Sequence, residues 1–233
     1  MCQLLGMNAN TPTDVMFSFA GLACRAGLCI GTQRVQSGRP TDWEAGQRTL
    51  INRNIEAAVI ENSPRSILKE GLAYDRCQVG IVTGVPTPEG MDDPYIHDME
   101  RMRLVLRTQV DVVLKGGCAV LNADDEIALG LAPLCDGEVI LYGTDFDAAA
   151  LRQHAGEGGR LVTVRGQQVL MCHQQTHTLL LDLSQPSMAQ LLARSALNVP
   201  SLLAVAAAAW ALNLAPGLVR AAVESSASVL IES

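Results

Sequence analysis

The stretch IEAAVIENSPRSILKEGLAYDRCQVGIVTGV (residues 55–85) decides the fold class. The runs IEAAVIE (55–61) and QVGIVTGV (78–85) are short, apolar and rich in β-branched residues, which is the pattern of buried strands. Residues 63–72 between them have the length and composition of a helix. A strand, a helix and a second strand in this order form the repeating unit of a mostly parallel sheet.

The same alternation continues toward the C-terminus. GCAVLNA (117–123) and EVILYG (138–143) predict two more strands, and residues 94–110 and 124–134 predict helices. After Gly143 the pattern predicts short antiparallel strands in RLVTV, QQVLMCH and HTLLLDL, followed by a closing helix pair that Pro216-Gly217 divides. The sequence therefore predicts an α/β fold with a mostly parallel sheet, flanking helices and a short antiparallel extension.

Composition excludes several classes of function. Lysine and arginine number 17 against 24 acidic residues, for a net charge of −7, and no basic stripe is interleaved with aromatic residues, so nucleic acid is not an expected partner. The seven cysteines form no CxxC pair, which indicates a reducing, cytoplasmic environment. The apolar run at 199–215 is shorter than the ~20 residues of a membrane span and predicts a buried helix, so no membrane partner is expected.

Polar residues follow the third predicted strand at the start of a predicted helix. Asn122, Asp124 and Asp125 stand where α/β proteins bind ligands, at the carboxyl edge of the sheet, although one aspartate could serve only as a helix cap. Glu61 ends the first predicted strand at the same edge, and a carboxylate there could hold Mg²⁺. The chain contains no GxxxxGK(S/T) phosphate-binding loop.

Two groups of residues have competing interpretations. Cys2 follows the initiator methionine, and an N-terminal cysteine combines a nucleophilic thiol with an amine that can act as its base, yet its position alone favours a small apolar residue that opens a strand. Cys172, His173 and His177 could hold a soft metal ion, but no fourth ligand follows at zinc-like spacing, which favours a structural role.

Four blocks carry a resemblance to a known family: RAGLCIGTQRVQSGRP, the 56–85 segment, GCAVLNADDE and DGEVILYGTD, together with the closing NVPSLLAVAAAAWALNLAPGLVRAAVES. In order and spacing, residues of about 25–226 resemble the Mur-ligase half of the cyanophycin synthetase family. The resemblance implies ATP- and Mg²⁺-dependent activation of a carboxylate as an acyl phosphate, followed by attack of an arginine amino group.

The resemblance also implies roles for individual residues. Glu61 matches the metal-binding glutamate of the family, and Asn122 with Asp125 match residues near the base and ribose of the nucleotide, with Asp124 beside them. A lysine that the family can carbamylate is replaced by Arg103. Because the phosphate loop and the C-terminal domain of the family lie outside the matching region, we expect the chain not to catalyse alone, and to self-associate or act with a partner ligase subunit.

The first residues resemble a different family. MCQLLGMNANTPTDVMFSFAGL (1–22) is similar to the start of the class II glutamine amidotransferases, whose cysteine after the initiator methionine is the nucleophile. Cys2 matches that residue, so glutamine hydrolysis is the alternative function. The two resemblances predict an N-terminal segment at residues 1–24 and a partial Mur-ligase central domain at residues 25–233.

Overall fold

The computed structural model describes residues 4–9, 20–24, 27–30, 33–37, 41–86, 98–194 and 197–232. These residues form two compact units. The first unit contains the described residues up to Ala119 together with Leu131–Glu138, and the second contains Val120–Gly130 and the described residues from Val139 onward.

Strands and helices alternate through the middle of the chain. The strands of the described residues are β1 Leu4–Ala9, β2 Ala20–Cys24, β3 Gly27–Ile30, β4 Gln33–Ser37, β5 Ala57–Glu61, β6 Cys77–Val82, β7 Val113–Asn122, β8 Glu138–Gly143, β9 Arg160–Arg165, β10 Gln168–His173 and β11 Thr176–Asp182. The helices are α1 Asp42–Leu50, α2 Pro64–Glu70, α3 Met99–Asp111, α4 Glu126–Leu129, α5 Ala149–Gly156, α6 Pro186–Arg194, α7 Val199–Ala211 and α8 Pro216–Glu232.

In the first unit the strand order is β7-β6-β1-β5-β2-β3-β4. β2 pairs with β5 in parallel, whereas β1 is antiparallel to both β5 and β6, and β3 is antiparallel to both β2 and β4. It follows from these pairings that β2, β4, β5 and β6 run in one direction and that β1 and β3 oppose them.

The N-terminal strand β1 lies inside this sheet. Leu5 is the register partner of Glu61 on β5 and of Ile81 on β6, so β1 forms a ladder on both of its sides. The division after residue 24 that the two resemblances suggest stays a prediction. In the structure, β1 and β2 belong to the same compact unit as residues 41–86.

Helices α1 and α3 pack one face each on the first unit. Thr41 and Glu44 form a capping box at the start of α1, and Ala45 joins Ala23 and Ile60 in a buried cluster. In α3, Met102, Leu106 and Val110 recur every four residues and are fully buried, so one apolar face holds the helix predicted at 94–110, of which residues 94–97 lie outside the described part.

Close approach between backbones requires glycine at residue 117 of β7. A Cβ at Gly117 would lie 2.5 Å from the carbonyl oxygen of Gln78 on β6. A Cβ at Gly137 would lie 2.5 Å from the carbonyl oxygen of Gly117 in turn. Only residues without a side chain allow these three backbone segments to stack at this distance.

In the second unit the order is β11-β10-β9-β8-β7. β8 and β9 are parallel, and β9, β10 and β11 form two antiparallel hairpins. The Ala-rich helix α7 buries Leu202, Leu203 and Ala207, as expected for the apolar run at 199–215. None of the helices in the described parts of the chain combines the length and the apolar character needed to cross a membrane.

The predicted fold class is confirmed: most strands of each unit share one direction, helices flank them, and β9–β11 form the antiparallel extension. The helix expected at 124–134 is a correction. The structure has a single α-helical turn, Glu126–Leu129, and then a 3-10 turn at Ala132–Leu134. Pro133 explains the break, because proline has no amide hydrogen to donate to the carbonyl of Leu129.

Candidate functional site

The loops after β7 and β8 meet through one carboxylate in the second unit. Asp124 accepts a hydrogen bond from the Thr144 backbone nitrogen at 2.9 Å and another from the Thr144 hydroxyl at 2.9 Å. A Cβ on Gly143 would lie 2.9 Å from the Asp124 carboxylate, so the glycine makes room for it. Asp124 therefore ties together the ends of two neighbouring strands.

The other two polar residues of this loop also serve the backbone. Asn122 Oδ1 accepts from the Asp124 nitrogen at 3.0 Å, and Asp125 Oδ1 accepts from the nitrogens of Ile127 and Ala128 at 3.0 Å each. Asp125 is thereby the N-cap of α4, which is the competing interpretation considered for one of the aspartates. The loop is ordered by its own side chains.

These hydrogen bonds bear on whether the loop fits a nucleotide. The carboxylate of Asp124 accepts from a main-chain nitrogen in the loop after β8, and that of Asp125 accepts from a main-chain nitrogen in the first turn of α4. A ligand hydroxyl or a Mg²⁺ ion would have to compete with bonds that each stabilise the fold by about 1–3 kcal/mol. The assignment of Asn122, Asp124 and Asp125 as nucleotide-binding residues stays a prediction.

Glu61 belongs to the first unit, at the carboxyl end of β5, and its side chain is buried. The next residue, Asn62, donates from Nδ2 to the Tyr74 hydroxyl and to Gln109 Oε1, at 2.9 Å each. Gln109 Nε2 also donates to the Tyr74 hydroxyl at 2.8 Å, which closes a triangle of three polar side chains. This triangle joins the end of β5 to α3.

Burial governs the ionisation of this region. The pKa of the Tyr74 hydroxyl is raised well above its usual value, first by burial and then by the neighbouring Cys77 thiol. Burial raises the pKa of Cys77 itself to about 12, with a smaller contribution from Cys135. Neither group supplies a nucleophile or a base at neutral pH, because both remain protonated.

A buried carboxylate fixes the loop that follows Glu61. Asp42, the first residue of α1, accepts from the Ser63 backbone nitrogen at 2.6 Å and from the Ser63 hydroxyl at 2.5 Å. The Ser63 hydroxyl in turn accepts from the Ser66 nitrogen and caps α2. Asp42 and Ser63 thus position the segment between β5 and α2.

The structure supplies few neighbours for a divalent ion. Within the described ranges, no group of three or more histidine, cysteine, aspartate or glutamate residues is arranged to hold a metal. After Glu61, the Asn62 amide bonds to Tyr74 and Gln109, and the Ser63 hydroxyl donates to the Asp42 carboxylate. The role of Glu61 as a Mg²⁺ ligand stays a prediction.

The cysteine and the two histidines of the second unit each make a different contact. Cys172 and His177 are cross-strand partners on β10 and β11, with the thiol buried and its pKa raised by that burial. The His173 ring meets the Trp210 ring edge-on at 6.4 Å between centroids, and the His177 ring meets Phe146 in the same way at 5.8 Å. Their resolved contacts are aromatic packing contacts.

Cys2 and Arg103 are the remaining predicted positions. Cys2 lies outside the described residues. Arg103, which replaces the lysine of the family, donates to Glu100 at 3.3 Å on the exposed side of α3.

The hydrogen-bond partners of the predicted residues were not predicted from the sequence. Thr144 was detectable, since Gly143-Thr144-Asp145 follows β8 as Asn122–Asp125 follows β7. Asp42 and Gln109 carry no such signal, because each meets its partner only through contacts distant in sequence.

Comparison with known proteins finds two kinds of relative. A family model described as class II glutamine amidotransferases matches residues 1–39, and therefore extends past the 22 residues in which that likeness was noted. The putative glutamine amidotransferase YafJ of Escherichia coli K12 is 67% identical over 79 residues, which are 34% of this chain and 29% of that protein.

The larger share of the chain is similar to another group. Cyanophycin synthetase of Crocosphaera subtropica is 33% identical over 140 residues, and that of a Synechocystis species is 30% identical over 140 residues. Each match covers 60% of this chain and 16% of the relative. The chain therefore spans about one sixth of the length of the cyanophycin synthetases it matches.

Proposed function

We propose that this chain is an amide-ligase-like module, related to the arginine-adding part of cyanophycin synthetase, that acts with a partner subunit rather than as an autonomous ligase. The observation that carries the proposal is the use of Asp124 and Asp125 as structural groups. Both carboxylates hold main-chain nitrogens at the sheet edge where the resemblance expects a nucleotide.

The same reasoning extends to the phosphoryl chemistry. ATP and Mg²⁺ are implied by the similarity to cyanophycin synthetases, and phosphoryl transfer needs several positioned cations and donors around the phosphates. Glu61 is a buried carboxylate next to an amide–phenol–amide triangle, and Arg103 pairs with Glu100 instead of offering an amine. We place the protein in the cytoplasm with the enzymes of this class, and a ligase subunit or a second copy as its partner.

Thermal unfolding of the full chain with increasing ATP-Mg²⁺ tests this proposal. A ligand that binds only the folded state stabilises it by about 2.7 kcal/mol at one hundred times its Kd, so binding is visible as a saturable rise in Tm. We expect no saturable rise at millimolar ATP-Mg²⁺, and a lower Tm in Asp124→Ala without nucleotide because the bonds to Thr144 are lost. A saturable rise that Asn122→Ala removes, with Arg152→Ala as control, would contradict the proposal.

The alternative function is glutamine hydrolysis by Cys2, favoured by the match of the amidotransferase model to residues 1–39. An assay of glutamine hydrolysis on the same protein preparation distinguishes the two proposed functions. Ammonia release from glutamine that Cys2→Ala abolishes would replace the ligase-related proposal with an amidotransferase, whereas equal background release by both chains supports the module.

A further inference from the structure

The last strand of the second unit ends its sheet. β11 pairs with β10 on one side, and no other strand of the described residues lies on its opposite side. A strand in this position presents unpaired backbone groups that can hydrogen-bond with a strand of another chain.

The sequence of β11 gives it little protection of its own. Thr176–Leu181 contains no proline, lysine, arginine, aspartate or glutamate, and three consecutive leucines follow Thr178. Edge strands of natural proteins commonly carry such residues to prevent pairing between chains. A strand that lacks them can pair with an identical copy, since antiparallel pairing about a two-fold axis is self-complementary.

The pairing of β11 with β10 is irregular at Leu180. Val169 faces Leu181, and the next residue, Leu170, faces Leu179, so Leu180 is an extra residue without a partner on β10. This is the arrangement of a β-bulge, which bends a strand and disturbs its outward-facing groups.

Arg220 of α8 binds the backbone at this bulge. Its Nε donates to the Leu180 carbonyl oxygen at 2.7 Å, and its Nη2 donates to the Leu179 carbonyl oxygen at 2.6 Å. The planar guanidinium thus makes two charge-assisted bonds to consecutive carbonyls, a geometry that a lysine cannot reproduce. Leu180 is fully buried and Leu179 is 41% exposed, so the bonds lie at the boundary between core and solvent.

We propose that α8, through the fork of Arg220 on the carbonyls of Leu179 and Leu180, closes the β11 edge against pairing with a second copy of this chain. Displacement of α8 then exposes the uncharged stretch 176–181 of β11, which adds to the same stretch of another molecule. The partner is a second copy because residues 176–181 of β11 form an uncharged edge that matches itself in antiparallel pairing, with Asp182, the acidic residue of the strand, at its end.

The decisive variant is Arg220→Gln, which keeps an amide donor and most of the aliphatic stem but loses the charge and the fork. Sedimentation velocity over a range of concentrations should show association with a dissociation constant lowered at least about tenfold relative to the unaltered chain. Arg152→Ala removes the same charge from an exposed position on α5 and should leave the association constant unchanged.

A second change localises the contact to β11. A lysine at the exposed position 179 places a charge on the edge, so the double variant Arg220→Gln with Leu179→Lys should return to the association state of the unaltered chain. Arg220→Lys, which retains the charge with a single-point donor, should associate to an intermediate degree and serves if the glutamine variant does not fold. Circular dichroism and a cooperative melt establish folding for each variant.

Two results would overturn the proposal. One is a folded Arg220→Gln or Arg220→Lys chain that sediments as the unaltered protein does at every concentration. The other is association that persists when Leu179→Lys is added, because the contact would then lie elsewhere than at β11.

Discussion

Asp42 and Asp124 are carboxylates used in the same way, one in each compact unit. Each accepts from both the backbone nitrogen and the hydroxyl of a single residue, Ser63 for Asp42 and Thr144 for Asp124. Ser63 lies two residues after the end of β5, and Thr144 directly follows β8. At the scale of residues, acidic side chains of this protein order loops.

Asp42→Ala should lower the free energy of unfolding by about 2–3 kcal/mol, because the Ser63 nitrogen and hydroxyl lose a charged acceptor in a buried setting. The measurement is the midpoint of urea unfolding at neutral pH. Asp42→Asn keeps an acceptor oxygen in a side chain of the same shape and should lose less than the alanine variant. Equal losses in the two variants would show that the hydrogen bonds to Ser63 are not the source of the stability.

At the scale of elements, local patterns in the sequence were sufficient for the middle of the chain. Apolar, β-branched runs predicted β5, β6, β7 and β8 in the right order, and the apolar face of α3 appeared at its helical spacing. These elements bury most of one face or both faces, so their apolar residues recur at the spacing of a strand or a helix.

Other elements were not predictable because tertiary contacts define them. β1 gains both of its neighbours from strands far along the chain, and nothing in LLGMNA specifies that position. α1 has a polar sequence whose buried residues are small, namely Ala45 and Gly46 with Thr49, so its apolar signal is weak. The predicted site shows the same limit: its residues were identifiable, but their acceptors and donors were not.

The packing of β7 against β6 offers a matched pair of substitutions. Gly117→Ala should destabilise the fold by about 1–3 kcal/mol, because its Cβ would lie 2.5 Å from the Gln78 carbonyl oxygen and one of the two backbones must shift. Gly116→Ala, at the neighbouring residue, meets no atom within 4 Å and should be neutral or slightly stabilising. Urea unfolding of both variants checks this, and a Gly117→Ala chain as stable as Gly116→Ala would contradict the packing described.

At the scale of the whole molecule, buried thiols and a buried phenol cause the free energy of unfolding to fall at alkaline pH. The pKa of Cys77 is about 12 in the folded chain against an ordinary value of 9.0, so the folded state retains a proton that the unfolded state releases. The contribution of the protonated Cys77 thiol to the free energy of unfolding is therefore fully present below pH 9 and is lost as the pH rises from 9 toward 12. The raised pKa of Tyr74 adds to the decline above pH 10.

The free energy of unfolding should fall by up to about 1.4 kcal/mol per pH unit for the Cys77 thiol alone between pH 9 and 12. Urea unfolding at pH 8, 9 and 10 measures the slope, and Cys77→Ala should flatten it. Cys135 and Cys172, whose pKa values burial also raises, keep part of the slope in the variant. Parallel loss of stability in the two chains would rule out Cys77 as a contributor.

The place of β1 between β5 and β6 has a consequence for synthesis of the chain. Residues Leu4–Ala9 are made before the strands that flank them, which end at Glu61 and Val82. During synthesis β1 therefore has neither of its neighbours until β5 and β6 have been made, and its two ladders form only after residue 82 has been added. Pairing over such a long sequence separation makes formation of this sheet slow relative to local hairpins.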